Sequence, residues 1–118
     1  MEFVKHENTW PWGESTIIIT SDGCGTITVQ FDKFFEDEAF ITSLSVHKSK
    51  RNKGYGSTLL KEAERYALER GMKKVALRAD KNNWVYDWYI RNGYKKDGFM
   101  VSLDDNDELC PILKKDLS

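Results

Sequence analysis

The chain has little cysteine: two residues in 118, Cys24 and Cys110, far apart in the sequence. That spacing gives no zinc pattern and no disulfide framework, so both thiols are expected to be reduced and inert. It also lacks an excess of either charge. Eighteen Lys and Arg stand against nineteen Asp and Glu, a net charge of −1. Without a global positive field there is no drive toward nucleic acid or an anionic membrane. No apolar run approaches the ~18 residues of a membrane span. The first residues, Met1-Glu2-Phe3-Val4-Lys5-His6-Glu7, contain no apolar signal core, and a cytoplasmic protein is the expectation. Repeats, linkers and low-complexity segments are missing too.

What is present is ordinary for a soluble domain: 40% hydrophobic and 31% charged residues. A chain of this length is expected to form one domain, residues 1–118, with a core that needs no covalent staple. Residues 15–21 are β-branched and read as a strand. Asp22-Gly23-Cys24-Gly25 is turn chemistry. In 26–31, Ile27, Val29 and Phe31 alternate with polar residues, the pattern of a half-buried strand. Glu36-Asp37-Glu38 reads as an acidic turn, and 40–46 as a third strand. Connections this short predict an antiparallel meander. Residues 5–13, with Trp10-Pro11-Trp12-Gly13, do not read as a long amphipathic helix.

The period then changes. Leu59, Leu60, Ala63, Tyr66 and Ala67 fall at helical spacing within 57–70, and Gly71 stops the helix. Residues 74–79 form a strand, so 40–46 and 74–79 are expected to be parallel across a right-handed β-α-β crossover. Asn82 or Asn83 can cap a second helix over 84–91, which Asn92-Gly93 ends. Two closing strands are expected over 94–103 and 109–117, around the acidic loop 104–108. The fold class is α+β: a mixed, mainly antiparallel sheet with a central β-α-β unit and two main helices.

The segment that joins strand to helix carries the chemistry. Arg51-Asn52-Lys53-Gly54-Tyr55-Gly56-Ser57-Thr58 is basic and glycine-rich, and it opens a helix. Glycine lets the backbone approach a ligand closely, and first-turn amides point at it, which makes an anion cradle. A Walker-type loop would need a lysine after its last glycine, and Ser57 stands there. A dinucleotide fingerprint would need a third glycine where Leu59 stands, and Asp80 is only loosely placed for the ribose. Arg/Gln-x-x-Gly-x-Gly/Ala fits fully, as Arg51, Gly54 and Gly56.

With that match, residues 40–96 resemble the GCN5-related N-acetyltransferase (GNAT) family. The strand Ile41 to Val46 precedes a segment similar to that family's acetyl-CoA pyrophosphate loop. Asn82, Tyr89, Gly93 and Tyr94 match its Asn-x6-Tyr-x3-Gly-Phe pattern, with tyrosine in place of the final phenylalanine and Val85 where alanine is usual. The resemblance implies acetyl-CoA as co-substrate. Amides around Lys53, Gly54, Tyr55, Gly56 and Ser57 would hold its pyrophosphate, with Lys48, Lys50, Arg51 and Lys53 as cationic partners. Its pantetheine arm would pair like an added strand with the backbone near Leu44 and Val46 and touch Asn82.

The same resemblance implies acetyl transfer to a primary amine by direct attack, with no covalent enzyme intermediate and no metal. Through the Asn82 to Gly93 motif the resemblance also sets Tyr89 near the coenzyme sulfur as the candidate general acid, a role that suits a phenol of ordinary pKa ~10, protonated at neutral pH. Its plain alternative is a core aromatic beside Trp84, Tyr86 and Trp88. The strand 40–46 holds no acid. Glu36, Asp37, Glu38 and His47 are the nearby base candidates, and the amine can instead lose its proton to water. Family members place two helices between their first and second strands. Here the first 39 residues leave the acceptor side open, or completed by a second subunit of a homodimer. An open face suits a protein lysine or N-terminal amine. The competing readings are a non-catalytic acyl-CoA-binding or interaction module, and a single-strand nucleic-acid binder using the tryptophans.

Overall fold

A computed structural model describes residues 3–11, 14–21, 25–32, 37–51, 54–79, 84–101 and 109–117. Four strands follow one another as a meander: β1 (Phe3–Thr9), β2 (Glu14–Ser21), β3 (Gly25–Asp32) and β4 (Glu38–Val46), each antiparallel to the one before. Then come α1 (Tyr55–Glu69), β5 (Lys74–Arg78), α2 (Trp84–Arg91), β6 (Lys95–Val101) and β7 (Leu109–Asp116). The seven strands make one sheet in the order β1-β2-β3-β4-β5-β7-β6. The β4–β5 pair is parallel and the β5–β7 and β7–β6 pairs are antiparallel. This is the mixed sheet with two helices that the periodicities predict.

The two crossovers, β4-α1-β5 and β5-α2-β6, advance across the sheet in one direction, and right-handedness puts both helices on one face. There Leu59, Leu60, Ala63 and Ala67 of α1 meet Ile27, Val29, Ile41, Val75, Leu77 and Leu113 of the sheet, with Tyr89 and Tyr94 in the same buried cluster. Gly71, at φ 85°, ends α1 as its glycine predicts.

The expectations need adjustment in four places. Glu38 is the first residue of β4, and its carboxylate accepts from Lys114 Nζ at 2.9 Å; it does not belong to an acidic turn. Helix α1 begins at Tyr55, two residues before the periodic run. The first closing strand is β6, Lys95–Val101, one residue shorter at its start than expected. A strand also precedes the first one expected. All of β1 after Phe3 is exposed, because it is the sheet's outer strand and buries no alternating row. Its Lys5, His6 and Glu7 place charge along an edge that apolar residues would make adhesive. Asn52, Lys53, Cys24, Glu36, Asn82, Asn83 and the acidic loop 104–108 lie outside the described residues. No described helix is long and apolar enough to cross a membrane.

Strand β1 is tied to α1 by Lys5 Nζ and Glu62 Oε1, 2.8 Å apart, while Arg65 bonds the same carboxylate from within the helix. The Arg65 hydrogen bond, and then Lys5, hold the Glu62 carboxyl down at about 2, below its ordinary 4.5. A depressed carboxyl contributes stability above its unfolded pKa and loses it as pH falls through the folded one. Thermal unfolding should therefore lose stability between about pH 4.5 and 2, and Glu62→Gln should flatten that slope. An unchanged slope in the variant would show that other carboxyls govern acid unfolding.

Candidate active site

Strand β4 is paired on both sides only over Ala39, Phe40 and Ile41. Its register with β5 runs from Glu38↔Lys74 to Ile41↔Leu77 and then stops. On the other side it stays paired with β3 as far as Gly25↔Val46. The break coincides with a β-bulge: Val29 pairs with Ile41 and Thr28 with Ser43, so Thr42 is an extra residue. A bulge bends the strand and increases its twist, which carries residues 42–46 away from β5. Among the described residues, the β5-facing backbone of that segment makes no ladder bond. It is an edge inside the sheet, open to an extended ligand. Leu44 and Val46, whose backbone the family resemblance would pair with a pantetheine arm, lie on this stretch and are half-buried against the core.

The strand leads into the basic turn. Lys48–Lys50 form a short 3-10 turn that His47 caps, its side chain accepting from Ser49 N. His47 Nδ1 also lies 2.8 Å from Ser49 Oγ. His47 Nδ1 therefore holds the turn. Arg51 folds back, its Nε donating to Val46 O at 3.3 Å. Gly54 precedes the helix at φ 82° and ψ 4°, a left-handed conformation that costs an L side chain about 1–2 kcal/mol. The first helical bond is Thr58 N to Gly54 O, 3.1 Å. The amides of Tyr55, Gly56 and Ser57 come before it, and no side chain caps the helix end. No acidic residue stands in that first turn. Among the described residues these three donors are open, and with the positive end of a fifteen-residue helix they stand where β4 ends.

Helix α2 forms the neighbouring wall. A Cβ placed on Gly56 would lie 3.4 Å from Trp88 Cζ2 and 3.5 Å from Val46 Cγ2, so the indole packs where β4 ends and α1 begins. Trp88 meets Tyr89 edge-on, with ring centroids 4.9 Å apart. Tyr89 is 5% exposed, and among the described residues its hydroxyl has no hydrogen-bond partner. Burial alone pushes the phenol up to about 12. It is fully protonated at any physiological pH and has a proton to give.

The structure thus brings Val46, Gly56 and Trp88 together where β4 ends and α1 begins, with Gly54, Tyr55 and Ser57 on either side of Gly56, Arg51 folded back on Val46 and Leu44 on the same strand. Tyr89 follows Trp88 in the chain and lies in the buried cluster with Tyr94. Lys53 and Asn82 cannot be added, being outside the described residues. Among the described residues no group of His, Cys, Asp and Glu is arranged to hold a metal ion.

Gly25 belongs to this site, and its place in a glycine-bearing turn motif conceals it. A Cβ there would meet Ser45 O at 2.4 Å and Leu59 Cδ1 at 3.0 Å. The missing side chain lets the end of β4 and the first turn of α1 close on β3. Gly25→Ala should cost about 1–3 kcal/mol by overpacking and displace the cradle, so thermal stability and anion affinity fall together. Stability within error of wild type would mean that the backbone there yields freely.

The comparisons with known proteins agree with this architecture. Residues 4–103 match the family model described as the acetyltransferase (GNAT) family. Curated protein sequences give no match. Among solved structures, a GNAT family acetyltransferase from Elizabethkingia anophelis with acetyl-CoA bound is similar at a TM-score of 0.71 and 14% identity, over 97% of both chains. An aminoglycoside 6′-N-acetyltransferase complexed with coenzyme A gives 0.72 at 16% identity, over 92% of this chain and 74% of that one. The PaiA N-acetyltransferase of Thermoplasma acidophilum, also with coenzyme A, gives 0.67 at 23% identity, over 88% and 61%.

Proposed function

Since the chain belongs to the acetyltransferase (GNAT) family, we propose that it transfers the acetyl group of acetyl-CoA to a primary amine by direct attack. The observation that carries this reading is the open edge of β4 beyond Thr42, which leads to the uncapped first-turn amides of α1. The thioester supplies the acetyl group. The chain's residues would hold, align and protonate. Amides of Tyr55, Gly56 and Ser57 take the pyrophosphate, with charge-assisted help from Arg51 and the neighbouring lysines. The β4 edge at Leu44 to Val46 aligns the extended arm, and Asn82 is proposed to contact it. Tyr89 Oη then gives its proton to the departing sulfur as the new C–N bond replaces C–S. That the Elizabethkingia protein binds acetyl-CoA on a chain of matching extent supports the reading.

The acceptor is read from the first strands. Only residues 10–13 separate β1 from β2, so no helix pair can stand between them. An acceptor side without that wall suits a bulky amine, a protein lysine or N-terminus, better than an enclosed metabolite. The base candidates do not strengthen: Glu38 is bound to Lys114 and His47 to Ser49. Deprotonation of the amine by water fits this best. An assay of thiol release from acetyl-CoA with a panel of peptide and small amines tests the proposal. Release that depends on amine supports it. Acetyl-CoA binding without release for any amine would favour the alternative, a non-catalytic acyl-CoA-binding module.

A further inference from the structure

The most exposed large apolar side chain among the described residues is Trp84, at 70%. An indole left in water stabilises nothing in the fold, and its position is specific. It is the first residue of α2, the helix that follows β5 in the chain. Helix α1 follows β4 in the same way, and β4 and β5 are parallel. Both helix N-termini therefore stand at the same edge of the sheet, the carboxyl edge where ligands of such units bind. Trp84 and Trp88 are four residues apart, on one side of the helix and about 6 Å apart along its axis. Trp88 already touches Gly56, the middle of the three open amides. Trp84 thus emerges one helical turn outward from the anion cradle, on its solvent side.

We propose that Trp84 is the stacking platform for the purine of the coenzyme. This rests on the cofactor reading above and adds to it a residue that determines nucleotide recognition. A coenzyme A molecule held by its pyrophosphate at Tyr55 to Ser57 has its arm inside the gap, so its adenosine must lie outside, toward solvent. A purine joined to that pyrophosphate through one ribose reaches about the span of one helical turn. A flat, exposed indole at that distance offers a π-face to it, and such contacts are worth about 1–3 kcal/mol per base by alanine substitution. The helix end of α2 adds no sequence of its own to this: the ring is the specific element.

The test uses the whole chain and two ligands, coenzyme A and 4′-phosphopantetheine, which shares the arm but lacks the adenosine. Trp84→Ala should weaken coenzyme A binding about 30-fold, at the middle of that stacking range, and leave 4′-phosphopantetheine binding unchanged. Trp84→Phe should keep most of the affinity and lose the quenching of indole fluorescence that adenosine 3′,5′-bisphosphate produces in the wild-type protein. Coenzyme A affinity unchanged in Trp84→Ala overturns the platform and leaves the cofactor reading standing. Equal losses for both ligands also overturn it, since the effect would then not lie in the adenosine. Wild-type protein that binds no coenzyme A overturns the cofactor reading together with the platform.

Discussion

Replacing Tyr89 with Phe is expected to lower kcat about 100-fold, at the lower end of what a positioned general acid contributes, with the Kd for acetyl-CoA within about 2-fold of wild type. The ring stays, and with it the edge-on contacts to Trp88 and Tyr94, whose centroids lie 4.9 and 5.4 Å away. Only the hydroxyl is lost, and it has no hydrogen-bond partner among the described residues, so stability should hold. The pH profile carries a second signature. Burial raises the phenol to about 12, so it remains the acid form as pH rises through the neutral and alkaline range. The wild-type rate should climb with pH as the amine loses its proton, without a falling limb below about pH 11 attributable to this group. An unchanged kcat in the Phe variant would remove Tyr89 from the chemistry and leave it as core.

Glu64→Ala should destabilise the fold strongly. Glu64 is 8% exposed and is the only buried charged residue among those described. One oxygen accepts from the Tyr94 hydroxyl at 2.9 Å and the other from Lys115 Nζ at 3.0 Å. Tyr94 is 1% exposed, and burial followed by the Glu64 charge drives its phenol far above the ordinary range. Removing the carboxylate strands a buried hydroxyl and a half-buried ammonium. Breaking a buried pair costs about 3–5 kcal/mol. Lys115, with 30% of its side chain exposed, can turn toward water, so the lower value applies. A melting temperature about 10 °C lower is expected. Tyr94→Phe alone should cost about 1 kcal/mol, the scale of one hydrogen bond. The triple change Glu64→Leu, Tyr94→Phe, Lys115→Leu should recover much of the loss. A Glu64→Ala protein that melts with wild type would show that the three groups are not coupled.

These two residues mark how far the sequence can be read. Tyr89 is legible because it falls in a spaced pattern with Gly93 and Tyr94, and spacing survives without coordinates. Glu64 sits on the apolar face of a periodic helix, between Leu60 and Ala67, which signals a buried charge. Its partners lie 30 and 51 residues away, and no local pattern connects them. The tyrosine in place of phenylalanine at position 94 is the trace that pairing leaves. The bulge at Thr42 leaves one too. Ile41 and Leu44 both face the core, yet strict alternation would put residues three apart on opposite faces. Strand β1 leaves none, because an outer strand exposed on both sides carries no period. The parallel β4–β5 pair and the cradle were readable because glycines, helix start and strand are contiguous in the chain.

The position of β7 has a consequence for how the molecule is assembled. It follows every other described element in sequence, yet it lies between β5 and β6, pairing with both. A nascent chain that has already formed the meander and wound α1 and α2 still has an empty slot beside β5. Leu77 gains its neighbour Leu113, and Val75 and Glu64 gain Lys115, only when those residues clear the ribosome. The half of the protein that carries Tyr89 is therefore locked late, by a keystone rather than a trailing edge.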